Sequence, residues 1–279
     1  MKSIKWPRYK ILSIIALTLL TLCCIASYMF FSSSMFQAIS QKPLLFNPDN
    51  CPAPCQAEIR KKASIQLSGT LLDYQTASIG ITSLSGTNHS EHSYYLALWQ
   101  GFQVGLMEDT LITQVIDKND LSMVLFRNLN INKQLNYTIG LGLKVADSLS
   151  TNTICATLSI PAEICPPSSL KSIESGVCVK YSYAQSIAVD YWTPSFNSLK
   201  QSKHWISIYS GALSPKSFSN QQPIESQIIT NNENYGTIVM EHLNLKRMST
   251  YTVVYGLGAQ SDSLLNNKVG IAAASFKTE

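Results

Sequence analysis

Hydrophobic and polar positions alternate along most of the chain beyond residue 63, in short runs rich in Ile, Leu, Val, Tyr and Thr separated by Ser-, Asn- and Gly-rich turns. In 137–143, Tyr137, Ile139, Leu141 and Leu143 share one parity while Thr138, Gly140 and Gly142 share the other. A period of two is what an antiparallel strand with a buried face requires. The pattern predicts strands near 64–73, 76–82, 94–101, 111–117, 121–127, 136–145 and 153–160. A second set follows near 176–183, 186–192, 204–210, 225–230, 235–241, 250–258 and 268–276. No segment of this region carries a helical period. Strands of this length and spacing belong to an all-β sandwich.

The two sets are copies. TASIGIT (76–82) matches SIAVDYW (186–192), YYLALWQG (94–101) matches HWISIYSG (204–211), MVLFRNL (123–129) matches TIVMEHL (237–243), and YTIGLGL (137–143) matches YTVVYGL (251–257). The offset is 110 residues before Gly101 and 114 after Leu121, so the second copy has a longer intervening loop. Each unit is near 100 residues, a size that reads as a tandem of domains burying their own cores and not as a solenoid. The expected organisation is a first repeat over 63–160, a linker over 161–175 marked by Pro166-Pro167, and a second repeat over 176–279. Residues 32–62, with four prolines and little periodicity, read as a stalk.

In each repeat an aliphatic (Ile131, Leu245) stands six residues before a tyrosine (Tyr137, Tyr251), after which alternation resumes. With SIAVDYWTP (186–194) and the strand HWISIYSG after it, this resembles a fibronectin type III domain, or more broadly an immunoglobulin-like sandwich. The resemblance covers both repeats. It implies a tyrosine corner, in which the Tyr137 and Tyr251 hydroxyls bond backbone a few residues upstream. The turns before the tyrosines (NKQLN and KRMST) lack the Pro and Gly that family members often place there, and fold alone does not give function.

Upstream, Ile11 to Phe31 is an uncharged stretch of 21 residues. As a helix it spans about 30 Å, the thickness of a bilayer's hydrocarbon core. Residues 1–10 form a basic flank expected to stay cytoplasmic, which places the bulk of the chain outside, periplasmic or extracellular. The alternatives are a signal peptide cleaved near Cys24-Ile25-Ala26, giving a secreted protein, and a lipoprotein box, which the bulky Leu22 before Cys23 disfavours. The formal charge of +4 comes from this flank: Lys2, Lys5, Arg8 and Lys10 precede the first acidic residue, and the remaining 17 basic and 17 acidic residues balance. Nothing in that balance makes a footprint for nucleic acid.

Candidate chemistry is sparse. Cys51, Cys55, Cys165 and Cys178 are disulfide candidates in an exported chain, with Cys51–Cys55 and Cys165–Cys178 locally plausible and Cys155 left over as a buried thiol. His89 and His92 flank Glu91 in a polar loop but lack a third ligand, so no metal site is expected. Ser168-x-x-Lys171 has no companion motif. Gly140-x-Gly142 and Gly256-x-Gly258 are not dinucleotide fingerprints and read as places where another group passes close. Asn88 and Asn136 open glycosylation sequons. Tyr95 and Trp99, and their equivalents Trp205 and Tyr209, share one strand face opposite Leu96, Leu98, Ile206 and Ile208. If the aliphatics enter the core, the aromatics form an exposed stripe suited to sugar rings or an apolar partner; if the aromatics enter, they are packing. Asp147-Ser148-Leu149 recurs as Asp262-Ser263-Leu264, a corner retained through duplication and either a binding loop or a turn requirement. The reading is a non-enzymatic, cofactor-free binding or assembly module making protein–protein contacts at a membrane, envelope or cell surface. Carbohydrate binding through the aromatic face is the alternative, and an uncharacterised hydrolase is the remote one.

Overall fold

The computed structural model describes residues 58–84, 93–116, 123–144, 149, 153–194, 199–200, 203–212, 221–257 and 269–278. The predicted membrane span 11–31 lies outside them, and no helix among the described residues is long and apolar enough to cross a membrane. The described chain is all-β. An N-terminal strand β1 (Glu58–Ser64) precedes repeat 1, whose strands are β2 (Gln66–Asp73), β3 (Thr76–Thr82), β4 (Ser93–Gln100), β5 (Ile112–Ile116), β6 (Val124–Arg127), β7 (Tyr137–Lys144) and β8 (Ile154–Ile160). Strand β9 (Ser168–Glu174) then precedes repeat 2, with β10 (Gly176–Ser182), β11 (Ile187–Trp192), β12 (Trp205–Ser210), β13 (Glu225–Ile228), β14 (Tyr235–Met240), β15 (Thr250–Leu257) and β16 (Val269–Lys277).

Each repeat is a sandwich of a three-stranded and a four-stranded antiparallel layer, β2-β3-β6 over β5-β4-β7-β8 and β10-β11-β14 over β13-β12-β15-β16. The inward parity of each strand is apolar, as in β3, where Ala77, Ile79 and Ile81 are buried. Both predicted tyrosine corners are present. The Tyr137 hydroxyl accepts the Asn132 N–H at 3.0 Å and the Tyr251 hydroxyl accepts the Lys246 N–H at 2.7 Å.

Two expectations are corrected. Residues 58–62 of the presumed stalk and 168–174 of the presumed linker are strands. β1 lies antiparallel on β16, with Ser64 opposite Ala272 and Glu58 opposite Lys277. β9 lies between β8 and β2 and joins the two layers of repeat 1 into one eight-stranded sheet. The proline pair, joined by a cis peptide, ends just before β9, so its missing donors do not touch the ladder. β1 carries no apolar alternation; what holds it as a strand is its antiparallel ladder with β16. The cores are not separate either. One contiguous apolar cluster runs from Ile65 to Phe276 and takes residues from both repeats, which belong to one compact unit.

Candidate functional site

The aromatic residues of β4 and β12 are all buried: Tyr95 0%, Trp99 1%, Trp205 0% and Tyr209 2% exposed. The aromatics are packing and not an exposed stripe: Trp205 and Tyr209 join the main core of repeat 2, whereas β4 is covered on both sides. Leu96 and Leu98 enter the main core, while Tyr95, Ala97 and Trp99 form a second cluster with Val104 and Ile154 on the opposite face. The cover is the segment 101–111, which folds back over β4 through a 3-10 turn at Met107–Asp109. The Trp99 indole N–H donates to the Leu106 carbonyl at 2.9 Å, and Met107 packs on the cluster. The rings lie against β7, at positions where glycine leaves room for them. A Cβ on Gly140 would sit 2.8 Å from Trp99 Cζ3, and one on Gly142 would run into the Tyr95 ring. Repeat 2 repeats the device: a Cβ on Gly256 would collide with the Trp205 indole, whose N–H reaches the Leu257 carbonyl at 3.3 Å.

Repeat 2 also buries a polar chain absent from repeat 1. His204 Nδ1 lies 2.7 Å from the Tyr255 hydroxyl, which is also hydrogen-bonded to Thr193. Thr193 Oγ1 lies 3.0 Å from Ser175 Oγ, which donates to the Cys155 carbonyl of repeat 1 at 2.8 Å. Burial holds the Tyr255 phenol well above the ordinary tyrosine range, with Thr193 pulling the other way. At the positions of repeat 1 that match His204, Tyr255, Thr193 and Ser175 stand Tyr94, Leu141, Ser83 and Ile65. Buried polar atoms need partners, and those of repeat 2 find them in one another.

The remaining candidates fall as follows. Asp147 and Asp262, like His89, His92, Cys51 and Cys55, lie outside the described residues. Cys155 is a free buried thiol whose Sγ–H faces the Leu141 carbonyl at 3.4 Å; burial pushes it up to about 12. The Cys165–Cys178 pairing is corrected: Cys165 is free and exposed, and Cys178 is disulfide-bonded to a cysteine outside the described residues. Cys165 sits before the Pro-Pro pair at one end of β9, whereas Cys178 is fully buried inside β10. Ser168 and Lys171 belong to β9. The Asn136 side chain braces the linker by accepting the Ala162 N–H at 2.7 Å. Among the described residues no group of three His, Cys, Asp or Glu could hold a metal ion.

A feature the sequence reading missed lies at the sandwich rims. β5 and β6 are the edges of their sheet, and β13 and β14 are edges in repeat 2. On the outer faces of these strands and the residue leading into them, Leu111 (51%), Val115 (52%) and Leu125 (41%) are exposed in repeat 1. Register makes their equivalents Ile224, Ile228 and Val239, also exposed: Leu98 pairs with Ile112 and Ile208 with Glu225, while Ser78 pairs with Leu125 and Ala188 with Val239. β5 (ITQVI) carries no charge and no proline, the devices that usually protect an edge. Only Leu125 and Val239 share the 114-residue offset of the later sequence matches; the other two pairs are 113 apart, a relation that appears only in the pairing of β5 with β4 and of β13 with β12.

The strand order defines a tandem of immunoglobulin-like, fibronectin type III-like sandwiches. Among solved structures the chain is similar to a two-domain fibronectin type III segment of chicken tenascin, at 11% identity and a TM-score of 0.23, over 76% of this chain and 97% of that one. It is likewise similar to the FN1–FN3 domains of chicken CNTN1, at 11% identity and a TM-score of 0.24, over 77% of this chain and 67% of that one. No protein-family model and no curated protein matches.

Proposed function

We propose that the chain is a non-catalytic binding or assembly module, held at the outer face of a membrane by its N-terminal segment and making protein–protein contacts through the rims of its sandwiches. The secreted form after signal cleavage is the alternative placement. The observation that carries the reading is the recurrence of exposed apolar side chains at three equivalent rim positions: Leu111 and Ile224, Val115 and Ile228, Leu125 and Val239. Exposed apolar residues scattered singly need no explanation, but the same three positions exposed in both diverged copies do. The carbohydrate reading loses its carriers, since none of the four aromatic rings reaches solvent.

The test is a crosslinked pull-down from intact native cells with the full-length protein and with the double variant Val115→Glu, Ile228→Glu. Both sites are surface positions, so folding should change by no more than about 0.5 kcal/mol. The reading expects a stoichiometric protein partner with the wild type and its loss with the variant. A partner retained equally by both proteins would remove the rims from the function, and retention on a glycan array with no protein partner would overturn the reading.

A further inference from the structure

The two strands that precede the repeats are exchanged. β1 comes directly before repeat 1 yet completes the four-stranded layer of repeat 2, pairing with β16 from Glu58 to Ser64. β9 comes directly before repeat 2 yet completes that of repeat 1, pairing with β8 from Ala156 opposite Glu174 to Ser159 opposite Lys171. The exchange is reciprocal, and its two arms cross at equivalent residues. Ser64 Oγ donates to Glu174 Oε2 at 2.7 Å, and these residues are 110 apart, the offset of the duplication. Immediately after the crossing, Ile65 N–H bonds the Ile271 carbonyl at 2.8 Å and Ser175 N–H bonds the Cys155 carbonyl at 2.9 Å. Only Ile65 separates β1 from β2, and only Ser175 separates β9 from β10.

We infer that residues 58–278 fold and unfold as one cooperative unit, with β1 as the latch that closes repeat 2 and β9 as the latch that closes repeat 1. The inference rests on strand pairing and holds whatever the module binds. Without β1, β16 would be an open edge whose backbone groups are unpaired along a strand buried on both faces, with Ala272, Ala273, Ala274 and Ser275 all at 1% exposure or less. Without β9, β8 keeps only β7, β2 keeps only β3, and repeat 1 loses Leu170 from its core. The polar chain from His204 through Tyr255, Thr193 and Ser175 to the Cys155 carbonyl adds a second bond between the copies. Repeat 2 is therefore incomplete without β1, which reaches it from the far side of repeat 1, while β9 closes repeat 1 before the chain passes through Ser175 into repeat 2. The two rims are held in a fixed relation and do not hang on a flexible string.

The test uses the full-length chain in a denaturant series read by pulsed hydrogen–deuterium exchange, with peptides from β4 and β7 reporting on repeat 1 and from β12 and β15 on repeat 2. Coincident midpoints and slopes in the wild type are expected; separate transitions would overturn the inference. A second arm uses Ala63→Pro. Ala63 stands two residues before Ile65, so its N–H also points at β16, and proline deletes that donor. The expected result is a fall of both midpoints by the same amount, although the substitution adjoins repeat 1 in sequence. A fall confined to repeat 2, with repeat 1 unmoved, would also overturn it. Should this variant not fold, the wild-type series alone decides.

Discussion

Trp99→Phe separates an indole that packs a core from one that waits for a ligand. The substitution keeps a six-membered ring but removes two ring carbons and the N–H that the Leu106 carbonyl accepts at 2.9 Å. Burial of a carbon group is worth about 0.8 kcal/mol, so two carbons fully excluded from water contribute about 1.6. The lost hydrogen bond adds about 1 kcal/mol, giving a total of about 2.6, or roughly an 80-fold shift towards the unfolded state. With a urea slope of about 2 kcal/mol/M, the midpoint should fall by a little over 1 M at unchanged slope. The segment over the ring should loosen first: the Leu111 N–H, bonded to the Leu98 carbonyl at 2.8 Å, should exchange faster under native conditions than the ladder amides of β7. A loss below about 0.5 kcal/mol, the range of an ordinary surface substitution, with unchanged exchange at Leu111 would refute the packing argument and return the aromatic face to the list of binding surfaces.

Tyr137→Phe and Tyr251→Phe each strip the acceptor from one backbone N–H and should cost about 1–2 kcal/mol in equilibrium unfolding; a neutral result at both would mean the corners are ornamental. Native-state alkylation should modify exposed Cys165 and spare Cys155, and non-reducing peptide mapping should find Cys178 oxidised with a cysteine that precedes β1. A Cys165–Cys178 peptide would contradict the structure. At high pH, the Tyr209 phenol and the Cys155 thiol are pushed up to about 12, each first by burial, and Tyr94 and Tyr255 are raised further by the same cause. A raised folded value means the contribution to stability is complete below the unfolded phenol value of about 10 and is lost as pH climbs from there. Urea midpoints should thus be flat with respect to these groups up to about pH 8, begin to fall at about 8.5 as the unfolded thiol ionises, and fall more steeply above about 10 as the unfolded phenols do. Full phenolate absorbance before unfolding would show that they are not buried.

The sandwich was legible because its carriers are local. Period-two alternation in 137–143 and 251–257, and an aliphatic six residues before each tyrosine, depend on neighbours within one strand and one turn. β1 and β9 were not legible. β1 is a strand only because β16, more than 200 residues downstream, accepts it, and its own sequence EIRKKAS has no apolar alternation. β9 did alternate weakly, with Leu170 inward and Ser169 and Lys171 outward, but the prolines before it drew the boundary in the wrong place. The aromatic face was misjudged for a different reason. SYYLALWQ has no polar residue on either parity from Tyr94 to Trp99, which is the mark of a strand covered on both sides, whereas the sequence reading assumed one wet face. The rim residues went unnoticed because an exposed leucine or valine is ordinary until its counterpart in the other copy is found exposed as well.

Glu58 faces Lys277 at the outer end of the β1–β16 ladder, so the strand that enters the double sandwich and the strand that leaves it finish side by side. The same relation holds between β8 and β9, except that there the residues 161–167 join them. Topologically the two repeats form a ring of two equal arcs, cut at one of its two equivalent junctions. A circular permutant that bridges Thr278 to Glu58 and opens the chain between Ile160 and Ser168 would keep every ladder and merely move the cut to the other junction.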